Sequence, residues 1–139
     1  MNAGNVVIVE DEFLVAFQLE DILTDGGYHV VATVPDMAAA DAVCEQTDLA
    51  LVDVNLRDGP TGPTIARMLS ERFGTRIIYV TANAAQIDYP AATALGAINK
   101  PFSCETIRAV VAYALDETLA VPRPPELHAL SGLELLRSA

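Results

Sequence analysis

Basic residues, cysteine and histidine are scarce in this sequence. Only 8 of its 139 residues are Lys or Arg, against 19 Asp or Glu, which gives a formal net charge of −11. Binding to a nucleic-acid backbone needs clustered basic side chains, so this balance makes the chain a poor candidate for nonspecific nucleic-acid binding and disfavours anionic membranes. The two cysteines, Cys44 and Cys104, and the two histidines, His29 and His128, form neither a disulfide framework nor a zinc-ligand pattern.

Long apolar runs are also absent. No stretch approaches the roughly 20 apolar residues that span a bilayer. The N-terminal residues 1–5 have neither the positive charge nor the apolar stretch of a signal peptide. We therefore expect a cytoplasmic protein. Because 52% of the residues are hydrophobic, the chain can fill one packed core.

Short apolar runs alternate with stretches of helical periodicity. The apolar runs predict strands over residues 5–10, 28–34, 49–54, 76–81 and 96–99. Helices are predicted over residues 12–25, 35–46, 64–73 and 103–119, with a weak one over 84–95 that Pro90 interrupts. This alternation predicts an α/β fold with a doubly wound, five-stranded parallel sheet. We expect one domain over residues 4–119, then a proline-rich linker and a short tail of helix-like leucine spacing over 120–139.

Polar side chains follow four of the predicted strands. They are Glu10, Asp11 and Glu12 after the first, Asp53 and Asn55 after the third, Thr81 after the fourth and Lys100 after the fifth. Each acid alone could simply cap a helix. Together they indicate a site, because open α/β sheets collect functional groups at the carboxyl ends of their strands. Crowded carboxylates need a cation, and Mg²⁺ suits oxygen ligands. Lys100, the one lysine of the chain, adds a compact ammonium.

These segments resemble the receiver domain of two-component response regulators. The matching segments are Ile8-Val9-Glu10-Asp11-Glu12, Leu51-Val52-Asp53-Val54-Asn55, Val80-Thr81-Ala82 and Lys100-Pro101-Phe102. They occur in the order and near the spacing of that family, and the resemblance extends over about residues 4–119. It implies a flavodoxin-like fold of the receiver type.

The resemblance also implies a phosphoacceptor. Asp53 matches the aspartate that takes the phosphoryl group, forming an acyl phosphate. Thr81 and Lys100 match the groups that contact the phosphoryl oxygens, and Ala82 matches a small residue that leaves access to the site. Such a protein catalyses its own phosphorylation and dephosphorylation without being a conventional enzyme.

A magnesium site is implied by the same resemblance. Asp11 and Asp53 match metal ligands, and Asn55 matches the residue whose backbone carbonyl completes the shell. Glu10 matches the neighbouring acid that holds the metal through water, although the family often has Asp there.

The implied partners are proteins. A histidine kinase or a histidine phosphotransfer protein would donate the phosphoryl group, and Phe13, Phe17 and Pro101 are candidate docking residues. We expect a stand-alone receiver in a phosphorelay, which acts through contacts with an unknown downstream protein or through a homodimer.

One position departs from the family. Ala97 stands where a switch Tyr or Phe is usual, so the hypothesis is that signalling shifts residues 83–95, with Tyr79 or Tyr89 replacing the ring. A phosphorylation-independent binding module therefore stays open as the alternative. A phosphohydrolase of the haloacid dehalogenase type is disfavoured because Asn55 stands where it needs Asp. Flavin binding is disfavoured because the first strand is not followed by a hydroxyl-rich loop.

Overall fold

A computed structural model of the protein describes residues 3–84 and 87–130. Its strands are β1 (Asn5–Val9), β2 (His29–Val34), β3 (Leu49–Val52), β4 (Arg76–Thr81) and β5 (Ala94–Asn99). Its helices are α1 (Phe13–Asp25), α2 (Met37–Asp41), α3 (Gly62–Phe73) and α4 (Cys104–Ala114). In the part of the chain described, no helix has the length and apolar character needed to cross a membrane.

The five strands form a single parallel sheet in the order β2-β1-β3-β4-β5. The chain runs from β1 outward to β2 and then crosses back to β3, so β1 lies between them. This arrangement confirms the predicted α/β fold with a five-stranded parallel sheet. It also places the carboxyl ends of β1 and β3 side by side, with Val9 opposite Val52.

Alternate side chains of the central strands fill a core on each face of the sheet. On one face, Ile8 and Leu51 pack with buried residues of α1 and α4. On the other, Val9 and Val52 pack with buried residues of α2 and α3. Strands buried on both faces need continuous apolar runs, which explains why β1 and β3 were recognisable in the sequence.

The chain is less helical than its sequence pattern predicts. No α-helix forms over residues 84 and 87–93, so the weak helix predicted there is absent from this described part; Ala85 and Gln86 lie outside it. Pro90 disfavours a helix, and the Ala91 backbone N–H donates instead to the Tyr79 hydroxyl at 3.0 Å.

Two predicted helices are shorter than expected. The helix predicted over residues 35–46 is the five-residue α2. α4 begins after Ser103, whose hydroxyl accepts the Thr106 N–H, but it ends at Ala114 and not at residue 119 as predicted. The Asp116 carboxylate accepts the N–H groups of Thr118 and Val121, and these bonds favour a turn over another helical turn.

The C-terminal tail is described only as far as residue 130. Residues 121–130 are not helical, and the helix-like spacing predicted for the tail otherwise falls on residues 131–139, which lie outside the described residues. The domain boundary near residue 119 stays a prediction.

One close backbone approach sets the position of the loop after β3. A Cβ atom on Gly62 would overlap the Asp53 carbonyl oxygen, so only glycine lets the start of α3 lie against this backbone. The Gly62 N–H donates to the Val54 carbonyl at 3.1 Å. The residue that follows β3 is thereby held between the sheet and α3.

Candidate functional site

Three carboxyl groups meet where β1 and β3 end. Glu10 and Asp11 follow β1, Asp53 follows β3, and one oxygen of each lies within 4.8 Å of the other two. Glu10 and Asp53 are buried, at 3% and 7% exposure, whereas Asp11 is half-buried. Hard divalent cations prefer such oxygen ligands, so this cluster has the composition of a metal site.

The ammonium of Lys100 lies between two of these carboxyl groups. Its Nζ is 2.7 Å from Glu10 Oε1 and 3.0 Å from Asp53 Oδ2, with Glu12 Oε1 farther away at 3.7 Å. The Lys100 backbone N–H donates to the Thr81 carbonyl at 3.0 Å, which extends the pairing of β5 with β4 to the residue that carries the ammonium. The lysine is therefore positioned by the sheet and is not an ordinary surface side chain.

Burial and charge shift the pKa values of this ion pair. Burial raises the pKa of Glu10 to about 7, although the Lys100 hydrogen bond opposes the shift; the negative charge of Asp53 adds to it. Burial lowers the pKa of Lys100, but its bonds to Glu10 and Asp53 outweigh burial and raise the pKa above its ordinary value. The lysine thus stays charged at neutral pH, while Glu10 is poised between its two protonation states.

The other predicted phosphoryl and metal residues lie on the loops at this edge. Thr81 ends β4 opposite Asn99, is buried, and accepts the Asn83 N–H on its hydroxyl at 3.2 Å. Asn55 follows β3 and Ala82 follows β4, and both are exposed. The structure thus brings Glu10, Asp11, Asp53 and Lys100 into one cluster, with Thr81, Asn55 and Ala82 on the neighbouring strand ends.

The predicted docking residues are exposed. Phe13 and Phe17 at the start of α1 are 78% and 61% exposed, and their ring centroids lie 6.3 Å apart. Leu14 is 79% exposed, and Pro101 is also exposed. α1 begins two residues after Asp11, so this apolar surface borders the acidic cluster.

The two tyrosines proposed to replace the missing ring differ in environment. Tyr79 is fully buried, pairs in register with Ala97, and packs in the same core. Tyr89 is 83% exposed. Of the two, only Tyr79 occupies the core beside Ala97.

One contact was missed by the sequence reasoning. Glu10 was expected to act on a metal through water, yet its carboxylate bonds directly to Lys100 and also accepts the Glu12 backbone N–H at 3.1 Å. Glu is one methylene longer than the Asp that the family often has at this position. That extra length was the feature of the sequence from which a direct contact with the lysine could have been predicted.

Replacing Lys100 with Met tests the ion pair. We expect the substitution to lower the free energy of unfolding by about 3 kcal/mol at neutral pH, because it leaves two buried carboxyl groups without their counter-charge. Chemical denaturation measures the loss. Arg57→Met is the matched control: it breaks a pair with Asp36 in which the arginine is 62% exposed, and it should lower the free energy of unfolding far less than Lys100→Met does. Equal losses in the two variants would show that the Lys100 pair is an ordinary surface contact.

Known proteins share this fold. The family model of the response regulator receiver domain matches residues 6–112. The solution structure of the Erythrobacter litoralis PhyR response regulator REC domain is 29% identical with a TM-score of 0.73, over 89% of this chain and 96% of that one.

Two longer relatives match over about half their length. PhyR of Brucella abortus, a response regulator, is 26% identical with a TM-score of 0.70, over 81% of this chain and 47% of its own. The anti-anti-sigma factor PhyR of Bartonella quintana is 26% identical with a TM-score of 0.68, over 83% of this chain and 48% of its own.

Proposed function

We propose that this chain, which belongs to the response regulator receiver domain family, accepts a phosphoryl group on Asp53 and signals through the protein contacts that then change. The observation that carries this proposal is the Lys100 ammonium, 3.0 Å from Asp53 within a cluster of three carboxyl groups. The phosphoryl donor would be a phosphohistidine of a histidine kinase or of a histidine phosphotransfer protein, and the setting would be the cytoplasm.

The proposed transfer is a nucleophilic substitution at phosphorus. An Asp53 carboxylate oxygen forms a bond to phosphorus while the bond from phosphorus to the donor histidine nitrogen breaks, and that nitrogen takes up a proton. The Lys100 ammonium already contacts Asp53 and would follow the new negative charge onto a phosphoryl oxygen. The Thr81 hydroxyl, at the end of the adjacent strand, would donate to another.

The carboxyl cluster fits Mg²⁺. Asp11 and Asp53 would bind it, with Glu10 and the Asn55 backbone carbonyl completing the set, since Mg²⁺ uses one or two carboxylates together with waters and phosphate oxygens. When bound, the ion would neutralise charge on the phosphoryl oxygens. In its absence Lys100 supplies the positive charge at Glu10 and Asp53.

Protein partners are proposed on both sides of the transfer. The exposed Phe13 and Phe17 border the site and offer an apolar surface on which a phosphodonor would dock. One similar protein is an anti-anti-sigma factor, and the net charge of −11 disfavours a nucleic-acid partner. We therefore propose that the downstream partner is a protein.

Asp53→Ala tests the phosphoacceptor. Incubation of the wild type with acetyl phosphate and Mg²⁺ should add one phosphoryl group, seen by intact mass, and Asp53→Ala should gain none. Asp41→Ala, which changes an aspartate 65% exposed in its pair with Arg72, is the matched control and should be phosphorylated like the wild type. A wild type that gains no phosphoryl group from acetyl phosphate or from a phosphohistidine donor would favour the phosphorylation-independent binding module.

Glu10→Gln tests the metal site by the number of protons that are released when Mg²⁺ binds. Since the pKa of Glu10 is about 7, the metal-free carboxyl is partly protonated near neutral pH. A cation binds the ionised form, so we expect Mg²⁺ binding to release a proton and its affinity to rise as the pH rises through about 7. Calorimetry in buffers of different ionisation enthalpy counts the protons. Glu10→Gln should release none in this range, whereas Glu12→Gln, at an exposed position, should behave like the wild type. Proton release that persists in Glu10→Gln would assign the titration to another group.

We further propose that the signal reaches residues 87–93 through Tyr79. The buried tyrosine lies two residues before Thr81 on β4, and its hydroxyl accepts the Ala91 N–H. A movement of Thr81 would therefore alter the hydrogen bond between the Tyr79 hydroxyl and the Ala91 N–H.

Tyr79→Phe removes only this hydroxyl. We expect a loss of about 1 kcal/mol in unfolding free energy and faster hydrogen exchange at the Ala91 amide, with no further change there when a phosphoryl mimic is added. Hydrogen exchange followed by NMR measures the amide. Tyr89→Phe, at an exposed ring, should leave the amide unchanged. If a phosphoryl mimic does not alter the Ala91 amide of the wild type, this route is excluded.

A further inference from the structure

Residues 121–130 form an irregular segment, here called the strap, which contains a turn at residues 124–127 and lies along the outer edge of β5. The Ala97 N–H donates to the His128 carbonyl at 2.9 Å, and the His128 N–H donates to the Ala97 carbonyl at 2.8 Å. This pair forms an antiparallel bridge on a sheet that is otherwise parallel. β5 is the last strand in the sheet order, so the strap covers an edge whose backbone groups would otherwise face solvent.

Two leucines anchor the strap on opposite faces of the sheet. Leu127 is 3% exposed and packs in the core beneath α1 and α4, whereas Leu130 is 6% exposed and packs in the core beneath α3, with Tyr79 and Ala97. The Arg123 guanidinium carbon lies 5.8 Å from the centroid of the Tyr113 ring. The strap therefore wraps around the sheet edge and is anchored on both sides.

β5 is shaped to receive this segment. A Cβ atom on Gly96 would lie 2.5 Å from the His128 carbonyl oxygen and 3.1 Å from Leu127 Cδ1. Gly96 also has φ +151°, a conformation that side chains rarely adopt. Any residue other than glycine at position 96 would thus push the strap away. Close packing of the strap on β5 therefore requires this glycine.

The strap and the acidic site meet at the end of the same strand. Asn99 Nδ2 lies 3.2 Å from His128 Nε2, and the next residue, Lys100, holds Glu10 and Asp53. The strap therefore contacts the residue immediately before the lysine.

We propose that the strap is an autoinhibitory segment that occupies a peptide-docking edge and is released when Asp53 is phosphorylated. This inference rests on the proposed phosphoacceptor function. Phosphorylation replaces the single negative charge of the Asp53 carboxylate with close to two negative charges on the phosphoryl oxygens, and these draw the Lys100 ammonium off its present partners. The end of β5 moves with the lysine, which weakens the His128 contacts. The uncovered edge then accepts an extended segment of a partner protein that pairs antiparallel at Ala97 and places leucine-like side chains on both faces, as the strap does.

Thermodynamic linkage makes the release reciprocal. If phosphorylation weakens docking of the strap, a weakened strap must favour the phosphorylated state by the same factor. A strap that only stabilises the fold would not have this property. Its loss would lower stability and leave the affinity of the site for a phosphoryl mimic unchanged.

The test uses the full chain with both anchors altered, Leu127→Ser with Leu130→Ser. We expect this variant to bind beryllofluoride with Mg²⁺ about fivefold or more tightly than the wild type, the lower range of measured couplings between sites. Leu119→Ser is the matched control, because that leucine is 69% exposed and precedes the strap. It should bind like the wild type.

A second measurement needs no substitution. In the wild type, hydrogen exchange at the Ala97 and His128 amides should become faster when beryllofluoride is added, because each donates across the bridge. If the double variant does not fold, this hydrogen-exchange measurement alone tests the strap proposal. Unchanged exchange at both amides in a protein that binds the mimic, or equal affinities of a folded double variant and the wild type, would overturn the strap proposal and leave the phosphoacceptor proposal standing. Failure of the wild type to bind the mimic and to be phosphorylated at Asp53 would overturn both.

Discussion

The Lys100 ammonium between Glu10 and Asp53 is the contact on which the site depends. Lys100 lies 90 positions after Glu10 and 47 positions after Asp53 in the sequence. The contact forms only because β1, β3 and β5 present their carboxyl ends at one edge of the sheet. Three carboxyl groups so close together repel one another, and one ammonium does not balance them. This edge therefore carries an excess of negative charge, which a divalent cation would neutralise. Burial is the main reason that the pKa of Glu10 lies well above its ordinary value, and the negative charge of Asp53 adds to the shift.

The sequence was sufficient to predict the sheet and the composition of its edge. Continuous apolar runs mark strands buried on both faces, and a parallel sheet places whatever follows those strands at one edge. On that basis the sequence predicts Asp53 and Lys100 at the same edge of the sheet. The sequence pattern did not predict the direct bond between Glu10 and Lys100. That bond depends on how far the Glu10 side chain reaches in the folded protein.

The parts that were mispredicted are held by contacts between distant residues. The helix predicted over 84–95 is replaced by irregular backbone in the described part, where the Tyr79 hydroxyl accepts the Ala91 N–H. Residues 121–130 are irregular backbone that bridges to β5 between Ala97 and His128, and Gly96 leaves room for them there. Local propensity cannot predict either outcome. In each case a partner far away in sequence satisfies a backbone group that a helix would have satisfied internally.

These departures share a cause in the small residues of β5. Gly96 and Ala97 contribute almost no side-chain volume at the sheet edge, so neighbouring segments must supply it. On one face Tyr79 fills the space beside Ala97, and Leu127 and Leu130 close the two cores from outside. In a family member with an aromatic residue at position 97, the ring that moves would lie on β5 itself. Here the large side chains beside β5 come from β4 and from the strap. A displacement of Lys100 would therefore act on these neighbouring segments and not on a ring within β5. A missing switch residue and a docked C-terminal segment are in this way two consequences of one edge strand built from small residues.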